Sequence, residues 1–570
     1  FREQLSVDWF IRDGLRLKGQ MAIVKGETSG EIYKSPFSAE FLKTTYNSES
    51  RVQEYLPIAE RGYLSMTDGA SFSYDGNVTL NYNTLVNEKH IIYAGVGLEV
   101  TQNDNNSHGF IMTGFPDDRY SDPAFAIQYK KETKPSSSES KSRAIGFFAN
   151  GNYSYDDRYF ADVSVRIDGS SKFGADKKYA PFWSAGAGWN VHNEKFFKHT
   201  KISMLKLRYS YGVTGNQEFS AYQAKTMFQF NTDRLYNSGI SAALMGYGNP
   251  DLEWQNQYQS NYGFDFGYAK DRIRLQFNYY QKKTEGMLTS VSVAPSLGLP
   301  SNTFTSNLGK IQNKGVEVNL NAVLIRDQGK DFEWSVMLQA AHNKNKIMEI
   351  STALKNINEK NNQDKTTPAA VYEEGESMSA IKAVPSLGID PTTGQELFMK
   401  KDGTITYTWD ATDKVICGDS EPKVFGNVGT NLYWKGWNLN MVFKYDLGAD
   451  YYNSTLAERV EGANPRYNAD RRVLNNRWKE PGQHALYKNI KEYTTTYISS
   501  RFVQKENTLQ LTSLSLSYDL NREWIRKFGL NTMRLSFYMN DVFRASTVKN
   551  ERGLDYPFQR SFVFGLNIGF

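Results

Sequence analysis

The stretch Arg272–Tyr280, RIRLQFNYY, decides the fold, because apolar and polar residues alternate along it. The odd positions are apolar and the even positions between them are polar: Ile273, Leu275, Phe277 and Tyr279 against Arg274, Gln276 and Asn278. Successive side chains of a β-strand point to opposite faces. The pattern therefore predicts a strand with one face in an apolar medium and the other against polar groups or water.

The same alternation recurs along the chain, for example in Val316–Ala322, Leu439–Tyr445 and Met533–Met539. Counting such segments predicts about 17 strands of roughly 9 to 12 residues, the length of a tilted strand that crosses a membrane. Alternation alone does not name the apolar medium, because a soluble β-sandwich shows the same pattern with its apolar face in a core.

The connections between strands discriminate better, because short turns and long links alternate along the chain. The short turns are predicted at Asp13-Gly14, Asn87–Lys89, Asp156–Arg158, Lys270-Asp271, Asp327–Lys330 and Lys435-Gly436. The long links are predicted at Lys25–Tyr74, Thr101–Arg143, Gly212–Tyr258, Lys283–Asn313, Asn343–Phe425 and Asp446–Thr508. A globular domain rarely tolerates so many long links. The asymmetry is typical of a transmembrane antiparallel up-and-down β-barrel with short periplasmic turns and long extracellular loops.

The last segment shows the alternation most clearly. One face carries five large apolar residues, which are Phe562, Phe564, Leu566, Ile568 and Phe570. We expect this segment to be the barrel-closing strand, with Phe570 in the aromatic girdle at a membrane interface. The alternative is an ordinary amphipathic edge strand.

The parity of the strands predicts that the barrel is incomplete. Single-chain bacterial barrels have an even number of strands, whereas the count here is odd. The first segment, Glu3–Ile11, leads directly into a short turn, so it should follow an earlier strand. Open sheet edges in lipid are prohibitive. We therefore expect residues 1–570 to form the C-terminal part of a longer barrel.

Composition excludes several classes of protein. The 570 residues carry 67 Lys and Arg against 62 Asp and Glu, a net charge of only +5, which does not suggest a nucleic-acid partner. Mean hydropathy is −0.59, and no apolar run approaches the roughly 18 residues of a transmembrane helix. A single cysteine, Cys417, argues against disulfide staples and thiolate metal sites. The six histidines show no ligand spacing.

Several blocks of the sequence resemble the SusC/RagA-like family of TonB-dependent outer-membrane transporters. The blocks follow one another in order from about residue 74 to the C-terminus. They are RYFADVSVRIDGSSKFG (158–174), PFWSAGAGWN (181–190), LKLRYSYGVTGNQ (205–217), NPDLEW (249–254), the segment 263–288 with YYQKKT, NLGKIQNKGVEVNLN (307–321), GIDPTTGQELFMKKDG (388–403), GDSEPKVFG (418–426) and YPFQRSFVFGLNIGF (556–570).

This resemblance implies a location, partners and a function. Members form outer-membrane barrels of about 22 strands, the plugged size class, so about 17 of 22 strands would be present here. The family implies an N-terminal plug domain and a TonB-contacting segment, neither of which is in this chain. It also implies an SusD-like lipoprotein over the extracellular mouth, and it allows a homodimer of transporter–lipoprotein pairs. The expected function is active import of a large nutrient, an oligosaccharide or an oligopeptide.

No stretch of the sequence predicts an enzyme or a cofactor site. The segment Asp168–Gly174, DGSSKFG, lacks the spacing of a phosphate-binding loop and does not open a helix. The Asp and Gly residues between 390 and 419 lack the alternate-position oxygens and the final Glu of a calcium loop, so turns are the better interpretation. Cys417 has no nearby histidine, which leaves no nucleophile–base pair there.

Two groups of residues are candidates for contacts with cargo or partners. Alternation places Asp162, Arg166 and Asp168 on the polar side of one strand, which we expect to face the lumen, because charges facing lipid are costly. Packing against a plug or the wall is the simpler role for them. Four loop aromatics, Tyr451, Tyr452, Tyr467 and Trp478, are candidates for stacking on sugars or meeting the lipoprotein, with packing inside the loops as the alternative.

One alternative function remains from the sequence, a soluble secreted β-rich protein that binds glycans. It predicts that the apolar faces pack against each other in a core, and that no lipoprotein partner is needed. A β-barrel enzyme is the weakest hypothesis, because no convergent catalytic set is present. The alternation of short and long links favours the transporter, since a sandwich has no reason to show it.

Overall fold

The structure is a computed structural model. It describes residues 1–46, 51–119, 121–131, 133–174, 177–197, 201–216, 221–236, 239–249, 251–292, 303–307, 309–350, 352–464, 469–492, 494–549 and 559–570. Contacts divide the chain into two compact units. Unit 1 comprises Phe1–Tyr153, Asp162–Trp183 and Gln217–Trp254, and unit 2 comprises Ser154–Ala161, Ser184–Asn216 and Gln255–Phe570.

Seventeen long strands dominate the described residues. They are β1 (Arg2–Arg12), β2 (Leu15–Lys34), β3 (Tyr63–Val86), β4 (His90–Thr113), β5 (Ser136–Tyr155), β6 (Tyr159–Ser170), β7 (Tyr179–Asn190), β8 (Ile202–Asn216), β9 (Gln255–Tyr268), β10 (Ile273–Glu285), β11 (Lys310–Asp327), β12 (Phe332–Glu349), β13 (Val424–Trp434), β14 (Trp437–Tyr452), β15 (Val503–Asp519), β16 (Thr532–Ser546) and β17 (Phe562–Gly569). The predictions of an all-β fold and of about 17 strands are confirmed.

Unit 1 contains β1 to β4 and most of β5. Strands β1 and β2, β2 and β3, and β3 and β4 pair antiparallel in chain order. The pairing of β3 with β4 is unbroken from Tyr63–Thr113 to Val86–His90. Consecutive neighbours joined by hairpins are the up-and-down arrangement that the sequence predicts.

Unit 2 contains β8 to β17, in which every strand pairs antiparallel with the next one along the chain. Register places one apolar residue beside another across nine strands. This row is Leu207, Phe264, Phe277, Val318, Ala340, Gly426, Tyr445, Leu509 and Ala545. The register shifts of these pairings lie outside this row, so the row turns the alternation within each strand into two chemically different faces of the sheet.

The short turns lie where the sequence predicts them. Asn87 and Glu88 have φ of 52° and 57°, and Asp156 and Asp157 both have φ of 52°, the left-handed conformation that Asn and Asp tolerate better than most residues. Gly14 has φ of 76°, and a Cβ there would lie 2.2 Å from the carbonyl oxygen of Asn83. The first turn therefore requires glycine for both conformation and space.

Several strands are longer than predicted, so the long links are shorter. Strand β2 has 20 residues, and β3 and β4 have 24 each, against the expected 9 to 12. Their additional residues are mostly polar, as in TQNDNNSHGF (101–110). A strand continues wherever its backbone groups find a paired neighbour, whether or not its side chains are apolar. The loss of alternation therefore marks the end of the apolar band and not the end of the strand.

The long links carry their own short elements. Helices of the described residues are α1 (Thr352–Asn362), α2 (Arg522–Ile525), a π-helical segment at Thr455–Glu461 and single 3₁₀ turns. Short strand pairs occur at Leu42–Tyr46 with Arg51–Tyr55, Met227–Tyr236 with Gly239–Gly246, Leu288–Ser292 with Thr303–Asn307, Ala380–Ala383 with Val415–Asp419, and Ser386–Ile389 with Glu396–Met399. In the described part of the chain, no helix has the length and apolarity needed to cross a bilayer.

Candidate functional site

The polar face of unit 2 carries a continuous row of hydrogen-bonding side chains across strands β8 to β16. We name it the polar row. Its members, paired in register, are Lys206, Asp265, Gln276, Asn319, Gln339, Asn427, Lys444, Gln510 and Arg544. Four adjacent strands, β10 to β13, contribute only carboxamides. A carboxamide both donates and accepts hydrogen bonds without carrying charge, so this part of the face suits neutral polar groups.

Ion pairs fix the first strands of this face. Arg208 donates two hydrogen bonds to Asp265, at 3.0 Å from Nε and 2.8 Å from the guanidinium NH₂, and a third to Asn278 Oδ1 at 3.1 Å. The three residues belong to β8, β9 and β10. Gly263 leaves the space, because a Cβ there would lie 2.7 Å from Asn278 Oδ1. A planar guanidinium thus ties three strands together on the polar face.

In unit 1, the structure brings two of the three lumen candidates together. Arg166 donates from Nε to Asp168 at 2.5 Å and from its NH₂ group to Glu99 at 2.8 Å. Asp162 lies on the same face of β6, four residues before Arg166. The neighbouring positions Val163 and Val165 point to the opposite face and are exposed. The sidedness that the alternation predicts for this strand is therefore present.

The two longest links of unit 2 pack on each other. We call residues 350–423 the first loop, residues 453–502 the second loop, and both together the loop pair. Val384 and Ser499 form a parallel bridge, and Ser500 N donates to Val384 O at 2.9 Å. The indole of Trp409 stacks on Tyr497, with centroids 5.1 Å apart. Ile498, at this junction, is fully buried. The loop pair is thus a folded layer with its own core.

A buried cluster of charges lies inside the loop pair. Arg501 pairs with Glu396 of the first loop at 2.8 Å and with Glu461 of the second at 2.7 Å. The Glu461 side chain is 0% exposed, and Lys488 Nζ lies 3.9 Å from it. Burial lowers the pKa of Arg501, but hydrogen bonds and charge from Glu461, with Glu396, outweigh it and raise that pKa above its usual value. Burial lowers the pKa of Lys488 below its usual value, although the charge of Glu461 acts in the opposite direction.

The candidate loop aromatics lie in or beside the loop pair. Trp478 donates from Nε1 to Pro391 O at 2.8 Å, and its ring covers Gly394, where a Cβ would lie 2.5 Å from it. Tyr452 makes an edge contact with Phe502, with centroids 6.0 Å apart. Tyr451 is half-buried at the end of β14. Tyr467 lies outside the described residues. Trp478 is therefore engaged in packing between the two loops.

The predicted closing strand, β17 with the terminal Phe570, exposes its large apolar residues. Phe562, Phe564 and Phe570 are 62%, 74% and 88% exposed. Leu566 and Ile568 are also exposed, and Phe564 is paired in register with Phe537 of β16. The condition of the sandwich hypothesis, burial of these side chains between two sheets, is not met in β17.

Sequence reasoning missed the charge cluster. Arg501 and Glu396 are 105 residues apart, and no spacing rule connects them. Charged residues in long links are usually solvated, so nothing in the sequence singled these out. One signal was available in retrospect, because the GIDPTTGQE block (388–396) ends on Glu396. The polar row could not be predicted from the sequence either, because it depends on the register between neighbouring strands.

Comparison with known proteins gives a consistent result. The model of the family described as "TonB dependent receptor-like, beta-barrel" matches residues 26–542. TonB-dependent receptor P3 of Formosa agariphila is 26% identical over 95% of this chain and 58% of its own length. TonB-dependent receptor SusC of Bacteroides thetaiotaomicron is 23% identical over 88% of this chain and 51% of its own length. The chain thus spans a little over half the length of these relatives.

Solved structures show the same fold. The RagAB peptide importer in its closed-closed state is similar over 100% of this chain and 62% of that chain, with a TM-score of 0.83 and 22% identity. The RagAB peptide transporter is similar over 96% of this chain and 59% of that chain, with a TM-score of 0.81 and 21% identity. At 21–22% identity, this similarity establishes the fold alone.

Proposed function

Because this chain belongs to the TonB-dependent receptor β-barrel family, whose members cross the outer membrane with strands, we propose that it is the barrel of an active importer for a large polar nutrient. The fold class and the SusC/RagA-like resemblance are confirmed. The matched relatives are named as receptors, in agreement with the expectation that the chain is no enzyme.

The polar row is the observation that carries the proposal. It runs across nine strands on the face opposite the apolar row, so an apolar row turned to lipid leaves the polar row lining the interior. Hydroxyl and amide groups of an oligosaccharide or an oligopeptide match its carboxamides. We propose cargo of one of these two classes. The structurally similar RagAB is a peptide importer, which makes the oligopeptide the first class to test.

The partners belong to the same proposal. A folded loop pair offers a preformed surface at the extracellular end, which supports an SusD-like lipoprotein as its partner. TonB would act through a plug domain and a contacting segment on another part of the polypeptide. Asp162, Arg166 and Asp168 would face the lumen or the plug. Tyr451, Tyr452 and Tyr467 would contact cargo or the lipoprotein, while Trp478 packs between the two loops.

A growth experiment tests the proposal. The full-length gene would be deleted in its source bacterium and restored on a plasmid, with oligopeptides or oligosaccharides as the only nutrient. We expect the deletion to abolish growth on one cargo class and the restored gene to recover it. Unchanged growth on both classes contradicts the proposal. Affinity purification of the restored protein from detergent extracts would recover the lipoprotein, if the proposed partner is right.

A double variant tests the role of the polar row in the same growth experiment. Replacing Asn319 and Gln339 together by Leu removes two neighbouring carboxamides while the strands remain paired. We expect slower uptake with unchanged amounts of protein in the outer membrane. The matched control is Val318→Leu with Ala340→Val on the apolar face, which should leave uptake unchanged. Equal uptake by both variants would remove the polar row from the transport path.

A further inference from the structure

Unit 1 has an apolar groove on the outward face of its strands. The groove has a volume of about 640 Å³ and runs across β2 to β6. Its walls include Leu17, Val78, Leu80, Val96, Phe147 and Val165. Val96, Phe147 and Val165 are 52%, 50% and 45% exposed. Outward side chains that form a continuous apolar recess offer a fixed seat for a hydrocarbon chain, which a smooth barrel wall does not.

A second pocket lies beside the groove on three of the same strands, β4, β5 and β6. It has a volume of about 560 Å³ and is lined by Val100, Ile145 and Gly169. Each lies two residues from a groove residue on its own strand, namely Leu98, Phe147 and Ile167, and a step of two keeps a strand side chain on the same face. Gly169 opens the recess, because a Cβ there would lie 2.5 Å from the ring of Tyr179. The two recesses therefore open on the same face of β4, β5 and β6, at neighbouring positions of each strand.

The second pocket is cationic where the groove is apolar. Arg143, Lys178 and Lys225 line it, and all three are exposed. Arg143 donates to the neutral Gln102 Oε1 at 2.8 Å. The ion pairs found in the described part of the chain include none for these three residues, whereas nearby Lys141 pairs with Asp104 at 3.0 Å. Three positive charges thus line one opening, and no ion pair among the described residues neutralises them.

The cationic pocket lies towards the long links and the apolar groove towards the short turns. Lys178 and Lys225 belong to links after β6 and β8, whereas Val96 and Leu80 lie closer to the short turn at Asn87–Lys89. In this family's barrel the long links are extracellular. The polar end of the site therefore sits at headgroup level in the outer leaflet, with the groove beneath it at the level of acyl chains.

We propose that unit 1 binds an anionic lipid of the outer leaflet, with a headgroup phosphate at Arg143, Lys178 and Lys225 and an acyl chain in the apolar groove. Charge complementarity selects the phosphate, and two adjacent recesses, one cationic and one apolar, match the headgroup and the chain of one lipid molecule. The lipid would hold unit 1 at a fixed height and rotation in the bilayer. This inference needs only the family's fold and is independent of the cargo.

Binding of a defined lipid to the purified full-length protein tests the inference. The probes are lipid A carrying both phosphates and the same lipid after enzymatic dephosphorylation, titrated in mild detergent and followed by native mass spectrometry. We expect the phosphorylated probe to bind on the order of 100-fold more tightly, since each cation near a headgroup contributes about one kcal/mol. Equal binding of the two probes overturns the proposal.

Two variants locate the site. Replacing Arg143, Lys178 and Lys225 together by Ala should abolish the preference for phosphate. The matched control replaces Arg12, Lys18 and Lys89, three cations of unit 1 outside both recesses, and should retain it. Val96→Trp fills the groove and should weaken binding of both probes. Heat-modified mobility on gels confirms that each variant is folded.

The results that overturn the proposal are specific. A loss of phosphate preference in the control as large as in the triple variant would show that net charge, and not the pocket, selects the lipid. Retained preference in the triple variant would place the phosphate elsewhere. The purified protein could also carry a bound protein instead of a lipid. If Val96→Trp removes that bound protein, the groove is a protein interface.

Discussion

In unit 2, the strands and the loop pair differ in whether they bury their apolar side chains. The paired strands expose their apolar side chains, as with Phe564 at 74%, and hold together by register and backbone hydrogen bonds. The loop pair instead buries Ile498 and Val460 completely and encloses the Glu461 carboxylate. The strands rely on lipid as their apolar partner, whereas the loop pair must supply its own core in water. We therefore expect single substitutions to damage the loop pair far more than the strands.

The largest effect is expected from Arg501→Leu. It removes the cation that pairs with both buried carboxylates, Glu396 and Glu461, which should destabilise the loop pair by about 3–5 kcal/mol. The measurement is limited proteolysis of the full-length protein in detergent, with cleavage sites mapped by mass spectrometry. Cleavage should increase within residues 350–423 and 453–502, while the heat-modified gel mobility of the barrel stays unchanged.

Its control is Arg534→Leu, which breaks an exposed pair with Asp519 on the strands. Exposed pairs contribute about 0–1 kcal/mol, so this variant should be cleaved like the wild type. The double variant Arg501→Leu, Glu396→Gln should recover part of the resistance, because the carboxylate that remains, Glu461, still lies 3.9 Å from Lys488. Equal cleavage of both Arg variants would show that the loop pair does not depend on its charge cluster.

A smaller effect is expected from Trp478→Ala. The indole covers Gly394 and donates to Pro391 O, so its loss removes apolar contact and one hydrogen bond between the loops. We expect a cost of about 2–4 kcal/mol, confined to the loop pair. Hydrogen exchange should rise around residues 388–396. The matched variant is Trp434→Ala on β13, where the indole is 50% exposed and its loss should leave exchange in the loops unchanged.

Acid should loosen one turn of the first loop before it affects the strands. The hydroxyl of Tyr407, the backbone N–H of Thr392 and the hydroxyl of Thr393 donate to Asp390 and lower its pKa to about 2. Because the folded pKa lies below the ordinary 3.8, this stabilisation is complete above about pH 4 and is lost as the pH falls towards 2.

Hydrogen exchange of the Thr392 and Gly394 amides between pH 5 and pH 2, corrected for intrinsic rates, measures this effect. Protection should fall with pH in the wild type. In Asp390→Asn it should be lower at pH 5 and change little across the range. Protection that rises on acidification would mean that the carboxylate does not hold the turn.

The smallest effect is expected from Arg208→Lys on the polar face. A lysine keeps the charge beside Asp265 but cannot make the paired hydrogen bonds or reach Asn278 as well. The retained positive charge and the intact backbone ladder limit the loss of unfolding free energy to about 1 kcal/mol. Thermal unfolding in detergent should shift by a degree or two at most. A shift as large as that of Arg501→Leu would remove the contrast between strands and loops.

Sequence was sufficient where a residue's neighbours along the strand determine its environment. Alternation in Arg272–Tyr280 predicts the two faces of β10, and the Asp13-Gly14 pair predicts its turn. Sequence was insufficient for strand ends, because Thr101–Thr113 stays paired although its alternation has stopped. It was also insufficient for the charge cluster, where Arg501 meets Glu396 only because two loops fold onto each other.

The length of the β3–β4 hairpin has a consequence for the cell surface. At about 3.3 Å per residue, 24 paired residues extend roughly 80 Å along the strand, or about 60 Å in height at the usual tilt. An apolar band is only about 25 Å tall. The polar ends of β3 and β4, opposite the short turn at Asn87–Lys89, therefore extend beyond the apolar band into water, so the paired strands themselves form part of the surface outside the bilayer.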